Sequence, residues 1–175
     1  TTVRRYFATN GIAFQEHIHR RSETLEQAAE LCGIQPQHMA RAVLLGDSGQ
    51  LWMAIVPVNG VIDLAVVERV CQRPLKPLTA AEANRRFPDC EPGCHPPVPE
   101  AYAVKALVDE SLFKSDKIWL EVGSHTAVVC VSAAGFSVIC RKALRGKIAN
   151  PVPKGSTCDP LASDGPLPVL PSEDM

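Results

Sequence analysis

Phe87-Pro88-Asp89-Cys90-Glu91-Pro92-Gly93-Cys94-His95-Pro96-Pro97 breaks an otherwise regular succession of helix and strand signals. Pro88–Pro99 holds five of the chain's 15 prolines, too many for a helix or a central strand. Its backbone is therefore expected to be a stiff, partly exposed loop. Such a loop can aim N–H groups at a carbonyl or phosphate oxygen without reorganising, which is what an oxyanion or phosphate cradle requires. Gly93 permits a close approach or a positive φ that a side chain forbids. A rigid connector between a helix and a strand fits the same composition.

Upstream of the loop, Thr79 and Glu82 have capping-box spacing and open a short helix that stops before Pro88. Asp63 caps a helix through Cys71, with Leu64, Val67, Val70 and Cys71 on one face. Ala40–Leu45 and Leu51–Val58 are apolar strands joined by the turn Gly46-Asp47-Ser48-Gly49, a hairpin. Thr24 and Gln27 make a second capping box before Leu25, Ala28, Ala29, Leu31 and Cys32, and Gly33 ends that helix. Ile12–Ile18 reads as a strand, preceded by a helix with Val3, Tyr6 and Phe7 at helical spacing and Gly11 at its end.

Downstream, Ala103–Val108, Lys117–Val122 and Thr126–Val131 read as strands, and Ser132 caps a last helix carrying Phe136, Ile139, Cys140 and Leu144. Helices and strands alternate without the βαβ rhythm of a doubly wound sheet. The expected fold is α/β of the α+β kind, a mixed, largely antiparallel sheet or open barrel surrounded by helices. One domain is expected over residues 1–147. Residues 148–175 hold six prolines and no period, and read as a Pro-rich linker or disordered tail, a composition that also suits a tether to a further domain.

A chain of 175 residues with 46% hydrophobic and 21% charged residues can bury a core and is not a disordered polymer. The longest apolar stretch, Val58–Val70, is interrupted by Asn59, Asp63 and Glu68, so no membrane span is expected. A net charge of −1 lacks the basic excess of proteins that grip long nucleic acids, which argues against DNA. Any RNA contact is expected to be local, at one end of a strand, near pairs such as Arg20-Arg21, Arg85-Arg86 and Arg141-Lys142.

The seven cysteines (Cys32, Cys71, Cys90, Cys94, Cys130, Cys140, Cys158) are odd in number and mostly embedded in apolar segments. They read as reduced thiols of a cytoplasmic protein. Cys90, Cys94 and His95 lack a second cluster to complete a zinc site, with only isolated His38 and His125 elsewhere, so neither metal nor other cofactor is expected. Cys94 and His95 are adjacent, and neighbours in extended backbone do not face each other as a nucleophile and its base must. His17 and His19 flank Ile18 and share one face, where they read as exposed strand residues. Asp109 reads as the cap of the turn Glu110–Leu112.

The order of these pieces resembles the YbaK/ProX family of free-standing aminoacyl-tRNA editing proteins, related to the editing domain inserted in bacterial prolyl-tRNA synthetases. The matching pieces are Thr24–Ile34, Met39–Leu45, Val56-Pro57, Val61–Leu64, the loop Phe87–Pro97, Val108–Leu112 and Glu121–Ser124. Cys-Glu-Pro-Gly-x-x-x-Pro followed by Asp-Glu-Ser-Leu is the most specific combination, and the resemblance covers roughly residues 1–145. It implies hydrolysis of an amino acid misattached to tRNA, with the acceptor end of an aminoacyl-tRNA as partner, joined by an aminoacyl-tRNA synthetase or a fused C-terminal domain.

The family's G-x-x-x-P loop falls on Gly93, Cys94, His95, Pro96 and Pro97, which by resemblance hold the terminal adenosine and the ester. Gly123, Ser124 and His125 would border the aminoacyl pocket, with His125 as pocket wall, hydrogen-bond donor or plain turn residue. The substrate's own ribose hydroxyl is implied to help a positioned water. In relatives a pattern like V-A-K-T carries a lysine where this chain has Met39-Ala40-Arg41-Ala42. Arg41, a wider and permanently charged fork, is expected to point into the site. It either supports hydrolysis or leaves a weakly active binding module tethered to a regulatory or signalling domain.

Overall fold

The computed structural model describes residues 2–47 and 49–152. In chain order the elements are α1 (Thr2–Thr9), β1 (Phe14–Ile18), α2 (Leu25–Cys32), β2 (Ala40–Asp47), β3 (Gln50–Pro57), β4 (Gly60–Ile62) and α3 (Leu64–Cys71), then β5 (Lys76–Pro77), α4 (Ala80–Arg86), β6 (Lys105–Asp109), β7 (Lys117–Glu121), β8 (Ala127–Ser132), α5 (Ala133–Ile139), β9 (Leu144–Gly146) and β10 (Ala149–Pro151). Three short 3₁₀ turns fill gaps between them.

A sheet of order β5-β2-β3-β6-β9 forms the centre, a second of order β1-β8-β7 covers one side, and β4 pairs with β10. Among the described residues, β3–β6 and β6–β9 pair in parallel and the other strand pairs are antiparallel. The mixed, largely antiparallel α/β arrangement expected from the sequence is what forms, as open sheets rather than a closed barrel.

Alternation along the strands explains the layers. Ala40, Leu44, Met53, Ile55, Ala106 and Val108 face α1, α5 and the inner side of β7 and β8. Val43, Leu45, Trp52, Ala54, Val56 and Leu107 face α3 and the β4–β10 pair. A third, smaller cluster of Ala28, Ala29, Met39, Val58 and Val128 seats α2 at one corner, where the site lies.

Most local signals act as the sequence suggests. The β2–β3 hairpin pairs Asp47 with Gln50, Gly33 caps α2 at φ 66°, and Asp63, Thr79 and Ser132 each accept a backbone N–H at a helix start. Gln27 differs: its side chain accepts from Glu23 N rather than closing a reciprocal box with Thr24. Ala103 takes φ 54° after a 3₁₀ turn at Pro99–Tyr102, so β6 starts at Lys105 rather than Ala103. The last helix ends at Ile139, and Leu144 lies on β9 with 43% of its surface exposed.

Residues 148–152 also differ from expectation, because they belong to the packed fold. Ile148 is wholly buried, β10 pairs with β4, and Val152 N donates to Asn59 O. Asp109 fixes this segment: its Oδ1 accepts from Ile148 N at 2.9 Å and Ala149 N at 3.1 Å, while Oδ2 takes Ser111 N and Oγ. Residues 153–175, the rest of the expected tail, lie outside the described residues. Asp109→Asn exchanges one accepting oxygen for a donor and should cost roughly 1–2 kcal/mol, read as a lower urea midpoint.

Candidate functional site

α4 and its C-terminal loop set the geometry of the Gly93 segment. Gly93 takes φ +88°, and its N–H donates to Asn84 Oδ1 at 3.0 Å. The same oxygen lies 3.0 Å from His95 Nε2, which therefore carries the proton. The His95 ring packs on Phe87 at 5.1 Å, and burial lowers its pKa. Cys90 N and Cys94 N donate to Phe87 O and Glu91 O, Glu91 N to Gly123 O, and His95 N to the Glu121 carboxylate. With prolines at 92, 96 and 97, every backbone N–H from Cys90 to Pro97 is thus used inside the protein. These donors brace the loop and its neighbours; they do not stand open as a cradle.

The turn Gly123-Ser124-His125, between β7 and β8, is zipped to this loop. His125 N donates to Glu91 Oε2 at 2.9 Å, and His125 Nε2 lies 2.8 Å from Pro92 O. Glu91 Oε1 meets Arg21 Nη1 at 2.8 Å. The Arg21 guanidinium, then the His125 N–H, bring the Glu91 carboxyl down to about 2. Ser124 Oγ turns inward to Thr126, 2.8 Å from its hydroxyl. Gly123 takes φ +112°, and the Cys90 side chain lies where a Cβ would be, so both backbone and space call for glycine.

The chain leaving β1 completes the enclosure. His19 N donates to Thr126 O and Ser22 N to His125 O, which lays residues 19–22 along the turn before Thr24 starts α2. The three segments and α2 enclose a cavity of about 50 Å³, lined by His19, Thr24, Gly93, Glu121, Ser124 and His125 among others. Larger depressions exist, one of about 610 Å³ lined by Trp52, Lys105 and Lys142. The site is assigned to the smaller cavity because a buried carboxylate faces it.

That carboxylate is Glu121, only 5% exposed at the end of β7. Burial pushes its pKa up to about 7, against the opposing pull of the His95 N–H, His125 and Arg41. A carboxyl titrating near neutrality can take and return a proton at working pH. Cys94, by contrast, is buried and its thiol is pushed up to about 12, so it packs rather than attacks. Among the described residues no group of three or more His, Cys, Asp or Glu is arranged to hold a metal ion.

Of the expected site residues, Gly93, Ser124 and His125 line the cavity, whereas Gly123, Cys94, His95, Pro96 and Pro97 do not. Arg41 is 12% exposed on β2, with Nη2 2.6 Å from Glu26 Oε2 on α2. Its charge reaches Glu121, but it is not among the residues lining the cavity. Asn84 goes unnamed in the sequence reading, which takes His19 as an exposed strand residue and gives Glu121 no role beyond opening the piece Glu121–Ser124. Glu121 left one trace there, as the lone acid closing the apolar strand Ile118–Val122.

Residues 19–137 match the family model described as the aminoacyl-tRNA editing domain. The chain belongs to the aminoacyl-tRNA editing domain family. That segment of the editing domain runs from His19 to the middle of α5 and contains every residue of the cavity. A candidate signal transduction protein from Marinobacter aquaeolei VT8 shares the fold at TM-score 0.67 and 23% identity, over 85% of this chain and 30% of that one. The editing domain thus spans less than a third of that protein. A candidate trans-editing enzyme for prolyl tRNA synthetase aligns at TM-score 0.72 and 18% identity, over 85% and 95% of the two chains. A hypothetical protein aligns at TM-score 0.76 and 17% identity, over 86% of this chain and all of the other. No curated protein matches the sequence. No helix of the described residues is long and apolar enough to cross a membrane.

Proposed function

We propose that this editing domain is a trans-acting deacylase that hydrolyses the ester linking a small amino acid to the acceptor end of tRNA. The observation that carries the reading is the cavity of about 50 Å³ with Glu121 in its wall. It has room for a side chain of a few heavy atoms and excludes an aromatic ring.

Water attacks the ester carbonyl carbon, the bond to the ribose oxygen breaks, and the water's proton passes through Glu121 to the leaving oxygen. The substrate's neighbouring ribose hydroxyl helps hold that water. Gly93 lets the acceptor end approach closely, with Cys94, His95, Pro96 and Pro97 holding the loop rigid. Gly123, Ser124 and His125 border the amino acid. Arg41, a compensating positive charge, favours the ionised form of Glu121. The six described cysteines are all free thiols, which suits action in the cytoplasm.

Arg41→Ala should lower kcat/KM about tenfold, whereas Arg41→Lys, which restores the cation common in relatives, should keep it within about threefold of wild type. Initial rates on one mischarged tRNA check both.

One observation favours a second reading. Arg41 is tied to Glu26 and does not line the cavity, as a domain would have it that kept the pocket and lost the chemistry while serving a longer regulatory or signalling protein. Saturable binding of an aminoacyl-adenosine analogue with no hydrolysis of any aminoacyl-tRNA would select this reading. Turnover selects the first. An aminoacyl-tRNA synthetase that supplies the mischarged substrate is the partner expected under the first reading.

A further inference from the structure

We infer that His19 is a specificity-determining residue of the cavity, its Nε2 accepting a hydrogen bond from a donor on the aminoacyl group. The inference rests on the proposed editing reading and adds to it which part of the substrate is recognised.

His19 Nδ1 lies 2.7 Å from Arg20 O. A carbonyl oxygen only accepts, so Nδ1 carries the hydrogen, and in the neutral ring Nε2 is left as an acceptor. Nε2 is shielded from solvent and has no hydrogen-bond partner among the described residues. A buried acceptor without a partner is costly, and such atoms in folded proteins are ordinarily satisfied by something.

The surroundings say what kind of partner would fit. His19 lines the same small cavity as Glu121, Thr24 and Ser124, so a group that satisfies Nε2 enters beside the Glu121 carboxyl. The ring cannot readily turn away. His19 N is bonded to Thr126 O, which fixes the backbone at this position, and Nδ1 is held by Arg20 O. At Nε2 the wall is therefore set for a hydrogen-bond donor. An aminoacyl ester offers two, its α-ammonium and, for a hydroxylated amino acid, the side-chain O–H.

Sequence reading placed His19 with His17 on one exposed face. The structure separates them. His17 is exposed, with its ring edge-on to Trp119, whereas His19 is partly covered because the chain bends past the end of β1 onto the turn at Thr126.

The experiment measures binding of three non-hydrolysable adenosine 3′-amides, carrying alanyl, seryl and propionyl groups, to wild type, His19→Phe and His19→Gln. Propionyl lacks the α-amino group, and seryl adds a hydroxyl to alanyl. Wild type is expected to prefer alanyl over propionyl if the ammonium is read, or seryl over alanyl if the hydroxyl is read. Either preference should be about 10- to 100-fold, the range for one well-made hydrogen bond to a charged or buried partner. His19→Phe keeps ring volume without an acceptor and should erase the preference. His19→Gln, whose Oε1 reaches about as far as Nε2, should retain most of it. Unchanged preferences in His19→Phe, with all three proteins equally folded by circular dichroism, overturn the inference and leave the editing reading intact. Failure of wild type to bind any of the three overturns both.

Discussion

Glu121→Gln is expected to abolish most hydrolysis and, at the same time, to stabilise the protein above neutral pH. On the activity side, the loss of a proton acceptor in the cavity should lower kcat by about 10²- to 10⁴-fold, the usual contribution of a positioned general base. KM should change little, because Gln fills the same space and its Oε1 can still accept from His95 N. A pH–rate profile of the wild-type enzyme should rise to a plateau with an inflection near 7, where the Glu121 carboxyl ionises.

The stability change follows from the same titration. In the unfolded chain the carboxyl loses its proton near 4.5, whereas burial holds the folded value at about 7. Between those pH values the folded state binds a proton that the unfolded state has released. Stability therefore falls as pH rises through that window and levels off above it. The full difference amounts to about 3 kcal/mol at pH 8. Gln cannot ionise, so the variant should be more stable than wild type by up to that amount at pH 8 and similar to it at pH 4. His95 works in the opposite sense: burial lowers its pKa, so its contribution is present above the unfolded value and is lost as pH falls from there through the folded one. That term is common to both proteins and cancels in their difference. Urea midpoints at several pH values give the comparison directly. A carboxylate retained at such a cost is what a working site, rather than a packing defect, would keep.

Gly123→Ala is expected to have the largest effect on folding. The residue sits at φ +112°, and a Cβ there would lie 2.8 Å from Cys90 Sγ, 3.3 Å from its Cβ and 3.5 Å from its Cα. Rotating the thiol away removes only the first contact. Backbone strain and overpacking together should cost roughly 3–4 kcal/mol. The damage also reaches the site, because Gly123 O accepts the Glu91 N–H that joins turn to loop. Cys90→Ala added to Gly123→Ala relieves the sulfur contact and should recover about 1 kcal/mol, leaving the φ strain in place. Guanidinium denaturation of the single and double variants separates the two contributions.

Much of this molecule could be read from its residues one segment at a time. Caps and turns are local: Asp63, Thr79, Ser132 and Gly33 act within a few positions of themselves, and spacing reveals them. The loop at Gly93 was conspicuous for its prolines. What its N–H groups do was not, because their acceptors Asn84, Gly123 and Glu121 come from other elements. The burial of Glu121 is equally non-local, since β7 puts its inner face on the main core and its other face under α2. Composition misled once in an instructive way. Proline-rich character begins at Pro151, yet β10 and Ile148 are held by Asp109, some 40 residues away in sequence. Arg41 was expected to point into the site, but its guanidinium is taken up by Glu26 on a separate element, a partner that local sequence could not reveal.

The central claim is that the cavity beside Gly93 and Glu121 hydrolyses esters of small amino acids on tRNA. It is tested most directly by incubating the wild-type protein with a panel of aminoacyl-tRNAs from glycyl to phenylalanyl and following release of the amino acid. The account predicts turnover of one or a few esters with small side chains, at rates well above spontaneous hydrolysis, and none of the aromatic esters. Spontaneous rates across the whole panel, or equal release of phenylalanine and alanine, would contradict it.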